Sequence, residues 1–292
     1  MLLYWLQQGL NALQLGSIYA LIALGYSLVY GILSMINFAH GDVFMVGAFV
    51  CLLAAGKFGL PFVPTLVVTM AAAALLGASI ERVAYRPLRQ APRVSAIITA
   101  LGVGLCLENV MLALYPYPQN VPRLIADSHF GVGELSLSSV QLLVIGISLS
   151  LVVVLDRIVY RSRIGMAMRA VAWDRTSVLL MGVPVDRVIA FTFALGAALA
   201  GAAGVLYSMA YPVIDPGMGI LVGWKAFIAT VVGGIGSVRG ALLGAYLLGA
   251  IEILVVALLP STYRDLVVFS LLLAFVVIRP HGLLGQARIQ KV

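Results

Sequence analysis

In a chain of 292 residues that is 62% hydrophobic and 10% charged, the side chains able to do chemistry are few enough to take singly. The stretch GILSMINFAHGDVFMVGAFV, Gly31 to Val50, sets Asn37, His40, Gly41 and Asp42 between apolar flanks. An amide, an imidazole and a carboxylate around a glycine can break a helix, line a polar path or relay a proton. Where a helix crosses or leaves lipid, such a knot is either a break beside a translocation path or a turn capped by Asn37 and Asp42. Two further acids stand inside apolar runs, Glu108 in GLCLENVML and Glu252 in LGAIEILVV. Each is a polar pathway group or proton relay, or else a protonated or hydrogen-bonded packing residue, because an intramembrane carboxylate must face the bundle interior or a pore.

Other chemistries find no support. GGIGSVRG, Gly233 to Gly240, has glycines but lacks the Lys-Ser/Thr end that grips phosphate and Mg²⁺. His40, His129 and His281 each stand alone, and Cys51 and Cys106 lie in apolar segments without metal or redox spacing. No nucleophile elbow occurs. The chain is therefore expected to be no enzyme and to hold no metal or cofactor of its own.

The elements that position these residues are membrane spans. Residues 1–41, 58–80, 135–155 and 188–214 carry no charged side chain, and about 20 such residues cross a hydrocarbon core. The expectation is an all-α polytopic membrane protein of about 8–9 transmembrane helices, with spans near 10–30, 42–56, 62–80, 95–115, 140–158, 188–207, 225–233, 241–259 and 266–278. The spans at 42–56, 225–233 and 266–278 are short enough to be half-helices. Arginines gather in three places: Arg82, Arg86, Arg89 and Arg93; Arg157, Arg161, Arg163, Arg169, Arg175 and Arg187; and Arg279, Arg288 and Lys291 at the tail. That is the positive-inside pattern, which places the C-terminus in the cytoplasm and the N-terminus outside, with Tyr4 and Trp5 at the outer interface. It accounts for the net charge of +7 by topology and lipid contact, and argues against nucleic acid. No basic segment precedes the first hydrophobic run, so that run is expected to be retained.

Two loops stand out. Residues 116–139, rich in Pro and Gly, fall outside as a non-helical cap. The loop 159–187 falls inside; positions 166–180 are expected to form one amphipathic helix, stopped by Gly182 and Pro184. Such a helix could lie on lipid headgroups or dock in a partner's groove.

Sliding the chain by 178 residues lays Ile36–Phe49 over Ile214–Phe227. Ile36, Gly41, Ala48 and Phe49 then meet identical residues, and Asn37 meets Asp215. Each stretch follows a small-residue-rich helix and precedes a short apolar span. The expected plan is a single transmembrane domain of inverted repeats, about 10–115 and 188–278, with breaks at matching places around Gly41 and Gly219, a plan common in transporters.

Several motifs resemble those of branched-chain amino-acid ABC importer permeases of the LivH type. They are GSIYALIALGYSLVYGILSMINFAHGDVFMVGAF (Gly16–Phe49), SIERVAYRPLR (Ser79–Arg89), Tyr160–Leu206, KAFIATVVGGIGSVRGALLGAYLLGAIE (Lys225–Glu252) and RPHGLLG (Arg279–Gly285). The resemblance runs nearly end to end and is poorest over 116–139. It implies a subunit of the bacterial plasma membrane that receives a branched-chain amino acid from an extracytoplasmic binding protein and pairs with a second, paralogous permease. Two cytoplasmic ATPase subunits would bind the ATP, and Met166, Arg169, Trp173, Asp174, Arg175 and Gly182 would belong to the coupling element they engage. Urea and short-amide permeases share the architecture, and an ion-coupled carrier using Glu108 or Glu252 is the alternative of another class.

Overall fold

The longest charge-free stretch makes the central helix. In a computed structural model, which describes residues 1–89, 91–132, 135–279 and 282–285, α1 (Leu2–Leu33) is buried on every side from Leu15 to Val29. A helix that is apolar all round belongs inside a bundle. It packs against α8 (Val185–Ala210) and α10 (Val238–Leu258). In turn α8 packs against α3 (Phe62–Ile80) and α2 (His40–Leu52), while α2 also meets α9 (Met218–Gly233). Small residues set these distances. A Cβ on Gly249 of α10 would lie 2.7 Å from the Gly16 nitrogen of α1, and one on Gly47 of α2 would lie 2.8 Å from Gly201 Cα of α8. Such close backbone approach is how helices associate where lipid removes the hydrophobic drive between them.

Helices α4 (Arg93–Leu114), α5 (Ser139–Arg161) and α11 (Tyr263–Ile278) lie at the periphery. Among the described residues seven helices are long and apolar enough to cross a membrane, and Met218–Gly233 is a shorter apolar helix. The chain is thus a multi-pass α-helical membrane protein. The cap at 116–139 takes part in two small antiparallel ladders. Strand β1 (Gln119–Asn120) pairs with β4 (Val213–Ile214), and β2 (His129–Val132) pairs with β3 (Leu135–Ser138).

Side-chain contacts sort the loops into two ends. At one end, Arg86 and Arg89 both pair with Asp186, Arg89 also pairs with Glu81, and Arg175 donates to the Ile32 carbonyl at 2.8 Å. At the other end, the Ser136 amide donates to Gln7 Oε1 at 3.1 Å, and β4 joins β1. The arginine-rich loops therefore share one end of the bundle. Arg288, Lys291 and His281 lie outside the described residues.

Two expectations need correcting. The helix expected over 166–180 is two helices, α6 (Arg163–Trp173) and α7 (Arg175–Leu180). The break falls at Asp174, whose extended backbone (φ −152°) lets its carboxylate accept the amides of Thr176 and Ser177 and start a second helix. The span expected at 225–233 begins seven residues earlier, at Met218, because the turn Asp215–Gly217 supplies a start that apolarity alone conceals.

Candidate functional site

The polar knot is a re-entrant break. Helix α1 ends at Leu33 with Ser34 in the left-handed region (φ 55°), and the chain turns back before α2 starts at His40. The His40 ring lies against Gly25, where a Cβ would sit 2.6 Å from its Cε1, and edge-on to Tyr26 at 4.8 Å. Gly25 is about 12 Å up α1 from its end, so α2 begins well inside the bundle. The turn is held from α3's extension: the Tyr85 hydroxyl donates to Asn37 Oδ1 at 3.0 Å and reaches the Ile36 carbonyl at 3.4 Å. Buried irregular backbone is tolerated when its polar groups are met in this way.

On the far side the chain does the same. After α8 and β4, Asp215 closes a turn by accepting the Gly217 amide at 2.9 Å, and α9 starts at Met218. The two starts meet. A Cβ on Gly41 would run into the Gly219 carbonyl and lie 2.7 Å from Gly223 Cα; one on Gly219 would lie 3.0 Å from Met45 Cβ. A side chain at Gly41 would run into backbone, so glycine is required there, and Gly219 leaves only tight space.

Beside this crossing lies a small cleft between α2, α4 and α9. Asp42, Glu108 and Gly219 line it, with Phe38, Trp224 and Phe227. The three rings pack on one another at centroid distances of 5.4, 5.6 and 5.9 Å. The structure thus brings Asp42, Glu108 and Gly219 to one cavity, with Gly41 behind them. Asn37 and Asp215 serve turns, and His40 packs against α1.

Glu252 is elsewhere. It is 2% exposed and accepts Tyr19 Oη at 2.9 Å and Lys225 Nζ at 2.7 Å, with Arg264 Nε at 3.1 Å. Lys225 also reaches Asp265 at 2.8 Å. This buried cluster ties α1, α9, α10 and α11 together. Lys225 escaped notice because one cation in an apolar run reads as the end of a span; its spacing from Glu252 carries no local signal.

The basic end presents a different surface. Arg169 lies 5.5 Å from the Tyr160 ring and donates to the Val159 carbonyl, and Arg175 holds the end of α1. Both arginines anchor the element. What projects is apolar: Met166, Trp173, Leu179, Leu180 and Met181, with Trp173, Leu180 and Met181 more than 80% exposed. Gly182 (φ 78°) ends the projection. Leu179, Leu180 and Met181 were missed because the single-helix expectation spread them around a continuing face.

Comparison with known proteins follows the same lines. Residues 9–277 match the family described as branched-chain amino acid transport system, permease component. The chain belongs to this family. It is the membrane permease component of a transport system, distinct from the subunits that hydrolyse ATP. This permease is 43% identical to BraD, a high-affinity branched-chain amino acid transport permease of Pseudomonas aeruginosa, over 99% of its own length and 98% of BraD. It is 41% identical to LivH of Escherichia coli K12, with the same coverage. Among solved structures it resembles PsaBC from Streptococcus pneumoniae in complex with Fab, at 16% identity and a TM-score of 0.50, covering 93% of this chain and 91% of that one. That likeness concerns fold alone.

Proposed function

We propose that this permease carries branched-chain amino acids past the crossing of α2 and α9, as one of two permeases in an ATP-driven importer. The observation that carries the reading is the meeting of two re-entrant helix starts beside a cleft. Inverted repeats support it. A shift of 178 residues lays α1 on α8, α2 on α9 and α3 on α10, and His40 falls on Met218, the two first residues. The contacts follow the same relation. Gly41 touches Gly223, and Met45 touches Gly219, its exchanged counterpart; a two-fold axis pairs residues reciprocally in this way. Likewise α1 packs on α10 as α8 packs on α3. With α9 and α11 counted beside the seven long helices, the described residues hold nine membrane helices, four in each of two halves, about 10–115 and 188–278, with α5 between them.

The arginine-rich end faces the cytoplasm on the positive-inside rule. The N-terminus, the β1–β4 ladder and the cap then lie outside, where a binding protein delivers substrate. The loop 159–187 is the coupling element, and its apolar tip at Trp173, Leu180 and Met181 seats in a groove of an ATPase subunit. ATP-driven closure of the ATPases would press on α6 and α7 and, through Arg175, on the end of α1, rocking the halves about the glycine crossing.

The test is uptake of labelled leucine and urea into proteoliposomes holding this permease, its partner permease, the ATPases and the binding protein. Leucine uptake that requires internal ATP, and is lost in Trp173→Ser/Leu180→Ser while the two permeases still assemble, is expected. Uptake of urea in place of leucine would change the cargo, and uptake driven by a proton gradient without ATP would overturn the proposal.

A further inference from the structure

We infer that the cleft between α2, α4 and α9 binds the primary ammonium group of its passenger, with Asp42 as the anion that receives it. The identity of the passenger, an amino acid with a branched apolar side chain, rests on the transport reading above; the cation preference rests on the cleft.

Asp42 is 6% exposed, and its Oδ1 is buried without a hydrogen-bond partner, although the residue lines the cleft. A carboxylate at membrane depth is expensive unless a cation or donor meets it. Among the described residues neither Asp42 nor Glu108 forms an ion pair, while Lys225, Arg264, Arg86 and Arg89 engage other acids. The first turn of α2 offsets part of the Asp42 charge through the helix dipole. That leaves Oδ1 unmet.

Glycine backbone closes the other directions. A Cβ on Gly104 would strike Asp42 Oδ2, and one on Gly219 would lie 2.8 Å from Oδ1. The carboxylate is held between α4 and α9, on the wall of the cleft. Glu108 sets a second acid on the same cavity, so the local field favours a cation over an anion. The Phe38, Trp224 and Phe227 rings provide an apolar floor for an isobutyl-sized group, and ring faces also attract an ammonium. An amine with a short branched tail satisfies both halves of the cleft. A carboxylic acid with the same tail satisfies only the floor and is repelled by the acids, and a neutral amide leaves the charge on Asp42 unmet.

The experiment uses the assembled permease pair in lipid nanodiscs with 5-fluorotryptophan, reading the ¹⁹F resonance that disappears in Trp224→Phe. Three probes are titrated at pH 7: L-leucine, 3-methylbutylamine and 4-methylpentanoate. The amine is expected to shift the resonance at a concentration about tenfold or more below the acid, with leucine alongside the amine. Asp42→Asn should weaken the amine by about tenfold to a hundredfold, the loss of one charge-assisted hydrogen bond. If that variant does not assemble, Glu108→Gln on the peripheral helix α4 is read instead, with weakening of about threefold or more expected from the loss of a nearby charge. A resonance moved equally by acid and amine, one moved by neither, or amine affinity unchanged in the assembled variant would each overturn the inference. Leucine uptake that persists without amine preference sinks this inference alone; amine preference without any ATP-driven leucine uptake sinks the transport reading alone.

Discussion

Replacing Lys225 by Met removes a cation that is 2% exposed and lies 2.7 Å from Glu252 and 2.8 Å from Asp265. Breaking a buried ion pair by deleting one partner costs about 3–5 kcal/mol, because the surviving charge stays buried. Here Arg264 Nε remains 3.1 Å from Glu252 and Tyr19 still donates to it. Arg264 is 40% exposed, so water screens part of what it offers. The expected loss is therefore about 2–4 kcal/mol. Lys225→Met/Glu252→Gln deletes both charges, leaves Arg264 with Asp265, and keeps Tyr19 bonded to an amide. It should recover about 1–2 kcal/mol of that loss, since exchanging both partners of a buried pair for neutral groups is often close to neutral. Unfolding in detergent can be followed by maleimide labelling of Cys51, which is fully buried, after Cys106, which is exposed, is changed to Ser. The expected order of stability is unsubstituted, then double variant, then Lys225→Met. A double variant no more stable than the single one would refute the reasoning, because the penalty would then come from lost packing and not from an orphaned carboxylate.

Gly41→Leu forces α2 and α9 apart at two backbone contacts and should cost about 1–3 kcal/mol, abolishing uptake while ATPase subunits still co-purify. Gly102→Leu, with open space around it, is the control, and equal uptake by the two variants would refute the crossing. Asp174 caps α7, and the Ser177 hydroxyl bonding to it holds its carboxyl below the ordinary value of 3.8. The folded-state value is depressed, so the stabilisation is complete above pH 3.8 and fades as pH falls through the lowered value. Hydrogen exchange at the Thr176 and Ser177 amides should stay protected across neutral pH and accelerate only below that ordinary value; Asp174→Ala should accelerate it at every pH.

The spans were legible because lipid demands about 20 apolar residues of any helix that crosses it, and α1, α3, α5, α8 and α10 all come from long apolar runs. The basic end was legible for a related reason, since arginine is costly to translocate. The break at Asn37–Asp42 could be seen as a polar interruption, and its counterpart at Asp215 by shifting the chain. Composition did not separate their roles. Asn37 and Asp42 lie five residues apart in one knot, yet Tyr85, from a different helix, takes the first, and the cleft receives the second. Glu108 and Glu252 looked alike in their apolar runs, until Lys225, Tyr19 and Arg264 gathered around only one of them.

The long apolar helices and the polar break at Asn37–Asp42 were therefore already in the sequence, because each depends on the residues next to it in the chain, whereas the break at Asp174 was not. Which face of each helix turns inward was not. In helices apolar all round, such as α1, no polar stripe marks an outer face. The facing is decided by where glycines let two distant backbones touch, at Gly41 with Gly219 and Gly223, and at Gly16 with Gly249. Those contacts join residues about 180 to 230 positions apart, and they come into being only when the helices pack, since lipid rewards close fit between helices and gives an isolated one no reason to prefer a side.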